Sequence, residues 1–67
     1  MRKYFATLYE DVDVENVRID AQVLGAENCE IKYGIGIIIF EATSSTAHKI
    51  FCLSDVKNVT EWDEVGK

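Results

Sequence analysis

Three carboxylates at alternate positions, Asp11, Asp13 and Glu15, are the densest group of chemically capable side chains in the sequence, with Glu10 beside them and Asp20 further on. Carboxylates so spaced can hold a calcium ion, pass a proton in acid–base catalysis, or present a row of negative charge. The calcium loop fails on its own pattern: the sixth position is Asn16 where a glycine makes the turn, and the twelfth is Gln22 where a bidentate Glu closes the site. Acid–base catalysis lacks a neighbouring nucleophile and the apolar residues that would tune one carboxyl against another. A charged surface remains. It is either a solvated loop or an imitation of a nucleic-acid backbone. Alternate residues of an extended segment lie about 6.6–6.8 Å apart on one side. Successive phosphates of a DNA strand advance about 3.4 Å along the axis plus a lateral step, so their direct spacing is of the same order. On such a strand Val12 and Val14 face the core and hold the row in place.

The other reactive side chains form no constellation. His48 has no Cys or carboxylate at ligand spacing, and neither Cys29 nor Cys52 has a Cys or His at the spacing of a zinc site. Both thiols read as small apolar packing residues in strands. Ser44 and Ser45 lack the strand–elbow–helix setting of a nucleophile, and Gly34-x-Gly36 opens no helix that would bind phosphate. No catalytic residue, metal ligand or cofactor motif is assigned. Trp62, flanked by Glu61, Asp63 and Glu64, has the character of an interface anchor if exposed.

Net charge is −5, and seven acids against Arg18 alone crowd residues 10–30. Affinity for phosphates comes from Lys and Arg, so direct binding to DNA or RNA is not expected, whereas a basic protein surface is a suitable partner. The N-terminal stretch has no export-signal pattern and no apolar run approaches the length of a membrane span, so a soluble cytoplasmic protein with reduced thiols is expected.

The elements that must position these residues read mainly as strands. Lys3 to Tyr9 is the first. Val17, Ile19, Ala21 and Val23 alternate with polar residues, the period of a strand with one wet face. A helix begun by Asp13 and stopped by Gly25 is the alternative, with Val14, Val17, Ala21 and Leu24 on one side. Gly25 to Asn28 then forms a turn, and Cys29 to Glu41 a strand of roughly 43 Å, bent at Gly34 or Gly36. Thr43 to Ala47 is a polar loop, Lys49 to Leu53 a short strand, Ser54 to Lys57 one helical turn, and Val59 to Val65 a last strand. The expectation is one acidic β-rich domain over residues 1–67, all-β or α+β, whose layout resembles small five-stranded SH3-like or OB-like open barrels. A core this small, with a long apolar strand at an edge, favours self-association as a homodimer.

In size, charge and lack of an active site the chain resembles small acidic phage-encoded host-takeover inhibitors of the DNA-mimic type. That resemblance implies a non-enzymatic inhibitor whose acidic face, Glu10, Asp11, Asp13, Glu15 and Asp20 with the group around Trp62, occupies the basic surface of a host nucleic-acid-binding protein. Histone-like nucleoid proteins, polymerases and nucleases are the partner types implied. A general interaction module or structural subunit, with a groove for a peptide and acids that only solubilise, is the alternative.

Overall fold

Residues 1–62 are described by the computed structural model, and they form six elements. In chain order these are β1 (Arg2–Leu8), α1 (Val14–Leu24), β2 (Glu27–Lys32), β3 (Ile37–Ala42), α2 (Ser44–Phe51) and β4 (Val56–Glu61). The protein is a small β-rich α+β domain: one four-stranded antiparallel sheet, ordered β2-β3-β1-β4, with two helices. This is the double split βαβ arrangement of ferredoxin-like folds. Among the described residues the sheet has four strands and is not closed, so the expected five-stranded barrel is not seen.

The expected strand over 17–24 is helix α1, and its ends explain why. Asp13 stands in extended geometry, and its carboxylate accepts from the backbone N–H of Glu15 (3.1 Å) and Asn16 (3.4 Å). At the other end Gly25, at φ 117°, donates its N–H to the carbonyls of Ala21 and Gln22. A side chain there would be strained, and its Cβ would sit 3.3 Å from Thr46 Oγ1. Between the caps, Val17 and Ala21 are buried and Val14 and Leu24 half-buried, whereas Ile19 is 49% and Val23 81% exposed. The alternation of Ile19 and Val23 with polar residues was therefore coincidental to burial. Asp13→Ala is expected to cost about 0.5–2 kcal/mol, seen as a lower urea midpoint with an unchanged slope.

Cys29 to Glu41 is not one bent strand but a hairpin. Gly34 and Gly36, both at positive φ, reverse the chain, and Lys32 pairs with Ile37, Ile31 with Ile38 and Glu30 with Ile39. A strand so long would have extended past its partners, whereas folding back satisfies both halves with ladder hydrogen bonds. The expected turn at 25–28 is instead the end of α1 and the start of β2, where Asn28 takes a positive φ of 54° beside the bulge between Glu27 and Glu30.

Thr43 to Ala47 and Lys49 to Leu53, expected as loop and strand, mostly merge into α2. Thr43 Oγ1 accepts from the N–H of Thr46 at 3.1 Å as the N-cap, and Ala47 and Ile50, three residues apart, are the buried pair. Cys52, expected to pack in a strand, is the exposed C-cap of this helix, while Cys29 is half-buried against the core; both are free thiols. Ser54 and Asp55 form a turn rather than a helix, and the last strand runs over Val56–Glu61 instead of beginning at Val59.

One face of the sheet carries Tyr4, Ala6 and Leu8 of β1 against Phe40 and Ile38 of β3, and the helices cover it with Val17, Ala21, Ala47 and Ile50. The Tyr4 and Phe40 rings stack with centroids 5.7 Å apart. Among the described residues no polar or charged residue is buried. None of the helices there is long and apolar enough to cross a membrane.

Candidate functional site

The helices cover only one side of the sheet, so period two in the strands leaves a second face without a layer of its own. Its central strands are β1 and β3, and three register pairs cross them: Lys3 with Glu41, Phe5 with Ile39, and Thr7 with Ile37. On the β2 side the same rows continue into Glu30 and Lys32, and on the β4 side into Thr60 and Asn58. Trp62 follows β4, held by its backbone N–H on the carbonyl of Lys3 at 2.8 Å. Its ring meets Phe5 edge-on at 5.9 Å, and Lys3 Nζ lies 5.7 Å from its centroid. Phe5, Ile35, Ile37, Ile39, Trp62 and the stem of Lys32 line a shallow groove of about 460 Å³.

Large apolar side chains on an open sheet face are the kind of surface that protein partners cover. Trp62 is 40% exposed. Ile35, at the hairpin tip, is more exposed still and extends the apolar surface past the end of the strands, whereas the neighbouring Tyr33 reaches to Glu15 of α1. Charge on the face is nearly balanced, with Lys3 and Lys32 against Glu30 and Glu41, and Glu27 at the corner opposite Glu41. Lys32 Nζ is 2.8 Å from Glu30 Oε2, a pair that holds the Glu30 carboxyl below its ordinary pKa by hydrogen bond first and charge second.

The acidic residues singled out in the sequence do not form the expected row. Glu10 and Asp11 sit in the turn after β1, Asp13 is committed to capping, and Glu15 lies in the first turn of α1. Glu15 accepts hydrogen bonds from the Tyr33 hydroxyl and from Arg18, whose Nη2 is 3.0 Å away. An in-line spacing of three carboxylates requires a strand, and this segment turns into a helix instead. Val12 and Val14 do pack partly buried against the core, as expected. Asp20 lies on α1, remote in sequence from the turn that carries Glu10 and Asp11. Glu61 is bound to Arg2 at 2.7 Å, and Asp63 and Glu64 lie outside the described residues. Among the described residues, Trp62 is thus the one predicted binding residue that falls in the groove.

The Glu15–Tyr33 contact titrates at both ends of the pH scale. The hydrogen bond from Tyr33, and then that from Arg18, lowers the Glu15 pKa, while the bond to Glu15 raises that of Tyr33. A lowered carboxyl contributes stability above its unfolded pKa and loses it as pH falls through the folded value. A raised phenol contributes below its unfolded pKa and loses it as pH rises through the folded one. Tyr33→Phe is therefore expected to lower the melting temperature at neutral pH. The deficit should vanish in acid and reverse at alkaline pH, where the parent tyrosinate faces Glu15. A deficit constant across that range would count against the contact.

The helical assignment of α2 also brings together a pair that a strand would have held apart. Cys52 Sγ lies 4.0 Å from His48 Nε2, one turn away on the exposed end of the helix. A thiol beside an imidazole is the start of a nucleophile–base pair, but among the described residues no third side chain orients this imidazole. Among the described residues no three His, Cys, Asp or Glu side chains gather as metal donors.

Comparison with protein-family models, with curated proteins and with solved structures found no match for this chain. Sequence reasoning missed Phe5, Ile35, Ile37 and Ile39 as site residues. Their signal lay in the period of β1 and β3, where apolar residues occupy both faces although the helices cover one.

Proposed function

We propose that this chain is a non-catalytic protein-interaction domain that binds through the open face of its sheet. The observation that carries the proposal is the groove formed by Phe5, Ile35, Ile37, Ile39 and Trp62 on a face that neither helix covers. Aromatic anchors among aliphatic side chains, with charges at the margin, match the anatomy of protein interfaces. Lys3 and Lys32 against Glu27, Glu30 and Glu41 do not favour a polyphosphate ligand, which calls for an excess of cations.

Charge supports a second reading: an acidic, DNA-mimicking inhibitor that occupies the basic nucleic-acid-binding surface of a host protein. Its support is the net charge of −5 and the carboxylates of Glu10, Asp11 and Asp20, which form no ion pair among the described residues. It lacks the phosphate-like spacing, and it uses the turn before α1 and the helix rather than the groove.

One experiment separates the two. Lysate proteins are captured at low and high salt on the parent, on Ile37→Glu, and on the double variant Glu10→Lys/Asp11→Lys. Loss of the captured partner with Ile37→Glu alone, and little release by salt, supports the sheet face. Loss with the double variant and release as salt rises supports the acidic surface.

A further inference from the structure

We propose that the occupant of the open face is a second copy of this chain, docked about a two-fold axis that runs along the strands between β1 and β3. The inference rests on the reading of that face as an interface and names its partner. A two-fold interface must be complementary to itself, each residue meeting the one that its own partner residue meets in return. An axis so placed lays β1 of one copy over β3 of the other. The three register pairs of the central strands then recur across the interface: Phe5 on Ile39, Thr7 on Ile37 and Lys3 on Glu41, each made twice. The apolar pairs fall nearest the centre and the Lys–Glu pairs toward one end. Packed sheets cross at about 30°, which displaces pairs little so close to the axis. A two-fold perpendicular to the strands would instead set Ile37 against the Glu41 row.

Charge selects the same surface. Two chains of net charge −5 repel each other, and residues 10–20, with five acids to one arginine, would set like charges against each other across a two-fold. The sheet face carries Lys3 and Lys32 against Glu27, Glu30 and Glu41 on its strands, and the two-fold sets Lys3 on Glu41 so that opposite signs meet at that pair. Covering it would also help stability, because chains below roughly 70–80 residues seldom build a sufficient core alone.

The test is sedimentation equilibrium of the full chain from low to high micromolar concentration, for the parent, for Lys3→Glu and for Glu41→Lys. The parent is expected to dimerise. Each reversal should raise the dissociation constant at least tenfold by setting like charges opposite each other. An equimolar mixture of the two variants should dimerise as tightly as the parent, because both cross-interface pairs regain opposite signs. Thermal melts verify that each variant folds. The parent gives an additional readout, since Trp62 is the only tryptophan and lies on this face. Its emission should shift to the blue over the range in which the mass doubles.

A parent that stays monomeric at high micromolar concentration overturns the inference. So does a dimer indifferent to both reversals, or a doubling of mass with no shift of Trp62 emission, since the copies would then meet elsewhere. If the parent is monomeric but Ile37→Glu still loses a captured protein, the face binds a foreign partner: the second copy is excluded and the interaction-domain reading stands. If Ile37→Glu changes nothing in either assay, that reading fails as well.

Discussion

Phe40→Ala is expected to leave the chain unfolded, or nearly so, at 25 °C. Phe40 is 1% exposed at the centre of the core, and its ring stacks on Tyr4 from the neighbouring strand. Truncating a buried Phe to Ala removes its transfer free energy and leaves a cavity, together costing about 3–5 kcal/mol. At about 0.05–0.15 kcal/mol per residue, a chain of this length holds roughly 3–10 kcal/mol in all. The loss is thus comparable to the whole of its stability. Loss of the cooperative urea transition, followed by far-UV circular dichroism, is the expected result. Phe40→Leu, which keeps most of the volume, should retain a transition at a lower midpoint. A Phe40→Ala variant with the parent midpoint would show that this ring is not central to the core.

Ile37→Glu, three residues earlier on the same strand and on the other face, is expected to do the opposite. Ile37 is half-buried, and its register partner on β2 is Lys32. A glutamate there faces a cation, a cross-strand pair worth about 0.2–1 kcal/mol that offsets part of the lost apolar contact. The melting temperature should therefore fall by only a few degrees. Binding through the open face should weaken by more than about 30-fold, because a charge placed on the partner's apolar surface costs about 2 kcal/mol or more, and 1.4 kcal/mol is tenfold. Calorimetric titration against the captured partner checks the affinity, and a melt of the same sample checks the fold. A variant that folds and binds like the parent would remove the groove from the interface.

The pair of variants also shows why part of this fold was legible and part was not. Lys3 to Tyr9 reads as a strand from its β-compatible residues, and β1 occupies Arg2–Leu8. The segment 14–24 satisfies two periodicities at once, with Val17 and Ala21 common to both. The helix prevails because Asp13 and Gly25 can cap it and because the stripe of Val14, Val17, Ala21 and Leu24 has a sheet to cover. In 29–41 the glycines mark the place where the chain must change direction. Whether they bend a strand or reverse it depends on what the strand pairs with, and that partner is β1, more than twenty residues away. The eight residues of α2 are too few for an isolated helix to be stable. Its cap at Thr43 and the docking of Ala47 and Ile50 make it one.

The candidate site follows the same division. The sequence by itself determined the inventory: an acidic chain with its carboxylates concentrated between Glu10 and Glu30, a β-rich composition, and a tryptophan among acids. Those properties are sums over residues or depend on near neighbours. Only the tertiary structure decided where they act. It broke the acidic row by turning its second member into a helix cap, and it bound Glu15 to Tyr33 and Arg18. It also set Phe5 of β1, Ile39 of β3 and Trp62 after β4 on one uncovered face. The reason is that a face is a property of strand order and register. Both are fixed by pairings between residues far apart in the chain, and by helices that reach one side of the sheet and leave the other open.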